Sequence, residues 1–551
     1  MSAEAFIIDG YVDEPACFGV PPYISPYIRT VAGVLGEHGY RSRYLTIDQL
    51  RRDPGVLRAI PGDALVVMIA GVTVPGKYLG GTPATLTEIR QIGVQVRAEI
   101  KLIGGPIGFG YAPQGGRPAL KSAISGFDHL LSGSPAAALD EFLRTGKTSG
   151  TFDYTSIDRW SMAGAYIIRN HPSFPFLMCE METARGCSRA ESGGCSFCTE
   201  PFYGSPVYRS VGGIEAEVAA LYEQGARHFR LGRQPDILTY EATGGEFPEP
   251  RPDRIRSLFS AVRTAAPGLR TLHIDNVNPG TIYHHPDASR EALEEIIRHH
   301  TPGDVAAFGM ESADPAVIRA NNLKALPGEV MEAIALVNEV GATRRDGIPE
   351  LLPGLNFVIG LAGETRKTFE LNRIFLDHVL SSGLLVRRVN IRQLMPFEGT
   401  RAFTDNVLGA HDREFRAFKE YARRHFDVPM LKSVFPIGTV LKEVIIEREG
   451  GVSFGRQMGS YPILVGIPLH LEPRSCMDAV VVDHGPRSVT ALPVPVEVNL
   501  LPPSALSWIP GIGKKKAGQL VTNRPFSRIE EFREVAGATP IDGLLSFSHL
   551  L

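Results

Sequence analysis

Between residues 176 and 394 the chain alternates strand-length apolar runs with helix-length amphipathic stretches, and this repeat limits its folds more than any other feature. The strand candidates are 176–184, 228–232, 271–275, 305–310, 355–359 and 389–394; the helical candidates are 213–225, 253–265, 289–299, 328–340 and 365–381. Six such units in series predict a full or partial βα barrel of TIM type, with functional side chains at the carboxyl ends of its strands. Residues 1–150 alternate in the same way, with strands expected at 5–8, 43–47, 64–74 and 101–103 and helices at 27–39 and 86–98. That pattern predicts a parallel, Rossmann-like sheet. Glycine-rich turns at 71–76, 80–81 and 104–110 follow its strands, and suit a ligand site or tight turns equally well. Residues 140–175 read as a polar connector to the barrel, which is placed at 171–430. Short strands and turns at 435–500 predict a small β-barrel. The last segment, 501–551, reads as helical.

A length of 551 residues agrees with three to four domains at roughly 150 residues each. With 57 Lys and Arg against 60 Asp and Glu, the net charge is −3, so any nucleic-acid site is a local patch. The longest apolar run, 64–74, is too short to cross a bilayer. The start, Met-Ser-Ala-Glu, lacks the basic region of a signal peptide. A cytoplasmic protein with no membrane partner is the expectation.

Three of the six cysteines, Cys187, Cys195 and Cys198, lie in a C-x7-C-x2-C run just after the first barrel strand. Three thiolates this close can hold one soft metal centre. A closed zinc site takes four ligands, and no histidine lies between Cys187 and Tyr203. Three cysteines alone suit an iron–sulfur cluster with one open iron. Zinc, or three unconnected buried thiols, are the alternatives. Cys179 and Cys476 are expected to be ordinary buried thiols.

A strand that ends in three cysteines and opens a βα barrel resembles the radical S-adenosylmethionine (SAM) superfamily. The resemblance implies a [4Fe–4S] cluster on Cys187, Cys195 and Cys198. Its open iron would chelate the amino acid part of SAM, whose reductive cleavage yields a 5′-deoxyadenosyl radical. An electron donor such as ferredoxin or flavodoxin is implied as a partner. Phe197, just before the last cysteine, fits the family pattern. Gly309-Met-Glu311-Ser312 and its continuation to Asn321-Asn-Leu-Lys324 resemble the fourth-strand motif on the ribose side. The 356–365 segment, with Gly360 and Glu364, resembles the fifth-strand turn near the adenine. Gln393-Leu-Met-Pro-Phe-Glu-Gly399-Thr400 resembles the sixth-strand element. The family's second-strand Gly-Gly-Glu is replaced by His228-Phe-Arg-Leu-Gly-Arg233-Gln234-Pro-Asp236, from which Gln234 is taken as the cofactor contact. The family spacing between the first two cysteines is three residues; here it is seven.

The flanks carry further resemblances. The first domain is similar to cobalamin-binding domains, through Pro21-Pro22-Tyr23 and Gly104-Gly105-Pro106. It has Asp9-Gly-Tyr-Val-Asp13 in place of Asp-x-His-x-x-Gly, so no histidine ligand to cobalt is supplied there, and cobalamin is left open. The domain order resembles RNA methylthiotransferases, but only Cys17 precedes Cys179, so a second cluster is not expected. The 435–500 barrel resembles TRAM or OB-like RNA-binding barrels, with Arg456, Gln457 and Tyr461 either on RNA or plain surface. Residues 506–517, with Gly511, Gly513, Lys514, Lys515 and Lys516, resemble a helix–hairpin–helix. Its hairpin would face backbone N–H groups and lysines to a phosphate. Residues 501–551 carry six basic and four acidic side chains. The alternative is a packing module with solvated lysines. The leading expectation is a radical SAM enzyme modifying an RNA, tRNA or rRNA, with methylation among the candidate chemistries. A radical enzyme for a metabolite or peptide, and a non-enzymatic iron–sulfur nucleic-acid-binding protein, are the alternatives.

Overall fold

The structure is a computed structural model that describes residues 3–14, 17–71, 81–121 and 124–548. The glycine turns at 72–76 and at Gly80, and the side chain of Cys17, lie outside the described residues. It is a mixed α/β structure of the expected class. Strand β1 (Glu4–Asp9) is followed by a two-residue strand, β2 (Tyr23–Ile24), that leaves for the barrel, and by helix α1 (Pro26–Glu37). Then come β3 (Arg41–Thr46), β4 (Leu65–Ile69), β5 (Ile100–Gly104) and β6 (His129–Leu131). The first sheet has the order β3-β1-β4-β5-β6, all parallel. Every residue of β4 is buried, as its unbroken apolar run requires of a strand covered on both faces.

The expected connector contains helix α2 (Tyr154–Ala163). Asp153 accepts a hydrogen bond from the Ser156 N–H at its start, and Ile157 and Trp160 turn inward. A Cβ on Gly33 would collide with the Trp160 backbone, and one on Gly164 with the Arg29 carbonyl. Two glycines let α2 cross α1 at close range. The polar composition of the stretch hid a helix that buries only a narrow stripe.

The second half of the chain builds a six-stranded, open βα barrel. Its strands are β7 (Met178–Glu182), β8 (His228–Gly232), β9 (Thr271–Ile274) continued past Asp275 as β10 (Asn276–Val277), β11 (Asp304–Glu311), β12 (Leu351–Ile359) and β13 (Arg388–Gln393). Parallel pairing runs β9-β8-β7 on one side and β10-β11-β12-β13 on the other. Strand β2 adds itself, in parallel, to the free edge of β7, with Tyr23 opposite Met178. Helix α3 (Val211–Glu223) is joined to α1 through a buried ion network. Glu217 accepts from Arg29 at 2.8 Å and from Arg209 at 2.5 Å, while Arg209 also reaches Asp158 on α2 at 2.6 Å.

Five strands close the last barrel: β14 (Val440–Arg448), β15 (Ser453–Arg456), β16 (Leu464–Ile467), β17 (Cys476–His484) and β18 (Ser488–Pro493). It docks on the amino ends of the βα strands. Thr271, first in β9, donates to Met458 O; Arg487 donates to Val389 O near the start of β13. Tyr23 donates to Gly459 O at 2.6 Å, and Ser460 exchanges hydrogen bonds with Arg230, His273 and Ile274. Tyr461 stacks under Arg388 at 4.1 Å. Helices α4 (Lys514–Thr522) and α5 (Ile529–Ala536) share one apolar core with Val480, Val482 and Leu492 of this barrel. No helix among the described residues is long and apolar enough to cross a membrane.

Candidate radical site

The candidate site lies at the carboxyl ends of β7, β8 and β11, under the first sheet. Gly116 N donates to Leu394 O and Ala119 N to Pro396 O, and the Phe109 ring meets Tyr203 edge-on at 6.0 Å. Strand β7 delivers the chain into the cysteine loop through Arg185 and Gly186, whose φ of 88° suits glycine. Cys195 is buried, with Cys187 and Cys198 part-buried beside it. Burial pushes all three thiols above their ordinary range; the Arg189 N–H opposes it at Cys187, and Lys324 opposes it at Cys195. Phe197 packs with Cys195, Ile318, Leu323 and Leu394 in a small apolar cluster that backs the loop.

One pocket joins these elements. Cys187, Arg189, Gln234, Asp236, Asn278 and Lys324 line it. Gln234 is 2% exposed, and both polar atoms of its amide lack a hydrogen-bond partner. An unpaired buried amide costs about 1–3 kcal/mol, so the position points to a missing ligand. Its neighbours are already committed. Arg233, in the left-handed region at φ 56°, lies 3.5 Å from Glu182 and 3.6 Å from Glu200. Asp236 caps the next turn and accepts from Thr281 at 2.7 Å. Of the three polar side chains in the second-strand segment, Gln234 and Asp236 line the pocket, and Gln234 is the one whose side-chain amide is wholly unpartnered.

Strand β11 ends in a bulge at Gly309–Glu311, and Glu311 takes φ 63°. Burial holds its carboxyl up at about 7, with Lys324 and Arg392 drawing it down. Burial works against the Lys324 charge, yet Cys195, Glu311, Cys187 and Cys198 keep its pKa above the ordinary lysine value. Lys324 was legible in the motif continuation but not singled out. Ser312 is buried and accepts from the Asp314 N–H, which starts the next helix. Gly360, at φ 98°, donates to one Glu364 oxygen at 2.8 Å, and the other oxygen lies 3.2 Å from His411. Both Glu364 oxygens are thus engaged within the protein. Gln393 donates to Asp412 at 3.0 Å and abuts Gly115 and Gly116 of the first domain.

The donor set is three soft sulfurs facing two cations, which suits a thiolate-bound cluster whose ligands carry negative charge. Among the described residues, no group of three or more His, Cys, Asp or Glu side chains closes on a single ion, as a four-ligand zinc site requires. In an iron–sulfur cluster each thiolate would hold its own iron, so Cys187, Cys195 and Cys198 would not have to converge on one ion. Among known proteins, the radical SAM superfamily pattern matches residues 181–371, from the first barrel strand through the cysteines to the helix after Glu364. The chain carries a radical SAM domain. Radical SAM enzymes hold a [4Fe–4S] cluster and SAM; in this chain Cys187, the open Gln234 amide and Lys324 line one pocket. An uncharacterized protein of Archaeoglobus fulgidus is 42% identical over 537 residues, covering 97% of this chain and 98% of its own. The ribosomal protein uS12 methylthiotransferase RimO of Polynucleobacter asymbioticus is 24% identical over 53% of this chain and 62% of its own. In structure, the radical SAM methyltransferase TsrM of Kitasatospora setae, with cobalamin and a [4Fe–4S] cluster bound, matches 73% of this chain and 74% of its own. Its TM-score is 0.50 at 14% identity, a likeness of fold.

The remaining sequence candidates lie at the far end of this radical SAM chain. Arg456 is paired with Glu447 at 2.9 Å through both guanidinium arms. Gly511, Gly513, Lys514 and Lys515 are exposed on the hairpin and the start of α4. Lys516 donates to Ala536 O at the end of α5. Cys476, expected to be buried, is exposed at the first position of β17.

Proposed function

We propose that this radical SAM enzyme cleaves SAM at a cluster held by Cys187, Cys195 and Cys198 and modifies a folded RNA such as tRNA. The observation that carries the first half is the meeting of Cys187, the unpaired Gln234 amide and Lys324 in one buried pocket. When bound and reduced, the cluster supplies the electron that splits SAM into methionine and a 5′-deoxyadenosyl radical. The chain's own work is to orient. The Gln234 amide and the Lys324 ammonium match the polar methionyl end of SAM, an ammonium and a carboxylate. Glu311 and Ser312 close the ribose side, and Gly360 makes the left-handed turn that ends β12 against Leu408. The RNA half rests on Lys514 and Lys515, which stand exposed at a helix start with no side-chain cap, beside the open Gly511–Gly513 hairpin. Arg456, held by Glu447, supports it less. A cytoplasmic location and an electron donor such as ferredoxin or flavodoxin belong to the same proposal.

Cobalamin is the candidate second cofactor between the first sheet and the barrel, because the order β3-β1-β4-β5-β6 leaves a switch point at the carboxyl ends of β1 and β4. Tyr11 stands two residues after Asp9, where a histidine ligand would be. Backbone bonds from Gly10 to Ile69 and from Gly71 to Tyr11 close the described part of this crevice.

Anoxic reconstitution with dithionite and SAM is expected to release 5′-deoxyadenosine, and Cys187→Ala, Cys195→Ala or Cys198→Ala to remove both that product and the absorbance near 400 nm. A loaded wild-type protein that releases none would refute the cleavage. Lys514→Glu with Lys515→Glu is expected to weaken tRNA binding and lower the slope of log K against log salt by about 1 to 2. Unchanged slopes would favour a metabolite or peptide substrate.

A further inference from the structure

Seven residues separate Cys187 from Cys195, and they fold into a turn of their own. Ala190 N donates to Cys187 O, and Gly194 N and the Ser192 hydroxyl donate to Arg189 O. Asn322, just after the barrel's fourth strand and its helix, clamps the turn by donating to Gly194 O at 3.1 Å. The turn turns one long side chain inward: Arg189, 3% exposed. Its backbone N–H points at Cys187 Sγ, 3.4 Å away, and its Nη1 at Cys195 Sγ, 3.5 Å away. Nη2 donates to Asn322 Oδ1 at 2.9 Å, Nε lies 3.3 Å from Glu246 Oε2, and the guanidinium sits 5.6 Å from the Phe247 ring centre. One residue thus donates to two of the three sulfurs while three other groups hold its side chain in place.

We infer that the long cysteine spacing exists to seat Arg189 against the cluster sulfurs, where it raises the reduction potential of the centre they hold. This rests on the proposed cluster at Cys187, Cys195 and Cys198. The physical ground is charge. Adding one electron to a thiolate-bound cluster adds one negative charge, and a fixed cation with N–H donors to the sulfurs stabilises the reduced form more than the oxidised one. A three-residue spacing has no room for such a turn. Glu246 pulls the other way: its carboxylate, 43% exposed, offsets part of the guanidinium charge.

The test uses the full chain, reconstituted without oxygen and without SAM, with iron and sulfide counted per protein. Midpoint potentials are read by EPR-monitored titration with dithionite. Arg189→Gln is expected to lower the midpoint and Glu246→Gln to raise it, with Arg189→Lys between Arg189→Gln and wild type. A purely structural role for the turn would not give opposite signs at two ends of one ion pair. Fully loaded Arg189→Gln and Glu246→Gln proteins with the wild-type midpoint would overturn the inference alone. If Arg189→Gln fails to load iron, the exposed Glu246→Gln still decides by its sign. A wild-type chain that binds no iron overturns the cluster beneath it as well.

Discussion

A methyl group on Gly309 would lie 2.7 Å from a Glu311 carboxylate oxygen and 3.3 Å from the Lys324 ammonium. Neither side chain can retreat without giving up the pocket, so Gly309→Ala is expected to leave folding and cluster loading intact but cut 5′-deoxyadenosine release by about ten- to a hundredfold. Equal release from equally loaded proteins would show that Glu311 and Lys324 do not position SAM. A second residue offers a pH test. Asp9 is fully buried, and desolvation lifts its pKa from 3.8 to about 7, against hydrogen bonds from Tyr44 and the Tyr11 N–H. The native state then holds a proton that the unfolded chain has lost between pH 4 and 7. Stability from this group is greatest below pH 4 and falls as pH rises to 7, by up to about 4 kcal/mol. Asp9→Asn is expected to flatten the fall of Tm over that window; parallel curves for the two proteins would contradict it. The three cysteines were legible because a spacing is a one-dimensional fact. Sequence alone does not separate Gln234 from its polar neighbours Arg233 and Asp236; what distinguishes it is an amide left without a partner in three dimensions. Arg189 was not legible at all, since nothing in a loop sequence says which of its side chains turns inward.

The barrel strands and their helices were read close to their observed limits because each βα unit is local and its helix carries a clear apolar stripe. What escaped was packing between units. Helix α2 hides in a polar stretch, and β2 is too short to register as a strand. The ion network of Arg29, Glu217, Arg209 and Asp158 draws on three separate helices and the β7–α3 loop. Replacing Glu217 with Gln would leave two buried guanidinium groups facing a neutral amide. The expected loss is about 3–5 kcal/mol, read as a fall in the midpoint of denaturant unfolding. A loss below about 1 kcal/mol would mean that water reaches the network. The C-terminal helices give a practical counterpart. Because α4 and α5 share a core with Val480, Val482 and Leu492, deleting residues after 500 would expose apolar β-barrel surface, so lysine substitutions are the cleaner probe of RNA binding.

The two sites of the proposed function sit at opposite ends of the barrel. The cysteines lie at the carboxyl ends of the strands; the β-barrel that carries the C-terminal helices docks at the amino ends. Six residues of β13 span roughly 20 Å, so an RNA that touches Lys514 and offers a nucleotide to the pocket must reach around at least that depth. A full-length folded tRNA is expected to be modified at least tenfold faster, as kcat/KM, than a short stem–loop carrying the same nucleotide. Equal rates would place the RNA at one end only. The general order of modules was legible in sequence; their arrangement around the barrel was not, because the plug formed by Gly459, Ser460 and Tyr461 has no local signature.

The pairing of Tyr23 with Met178 also sets a clock. During synthesis at roughly 5–20 residues per second, β7 leaves the ribosome some ten to thirty seconds after β2. For that interval the first sheet can form, but β2 waits without its neighbour, and Tyr23 waits longer still for Gly459. The nascent chain therefore keeps an open strand edge until β7 has been made, and the barrel edge that leads into the cysteine loop is completed by a segment made well before it.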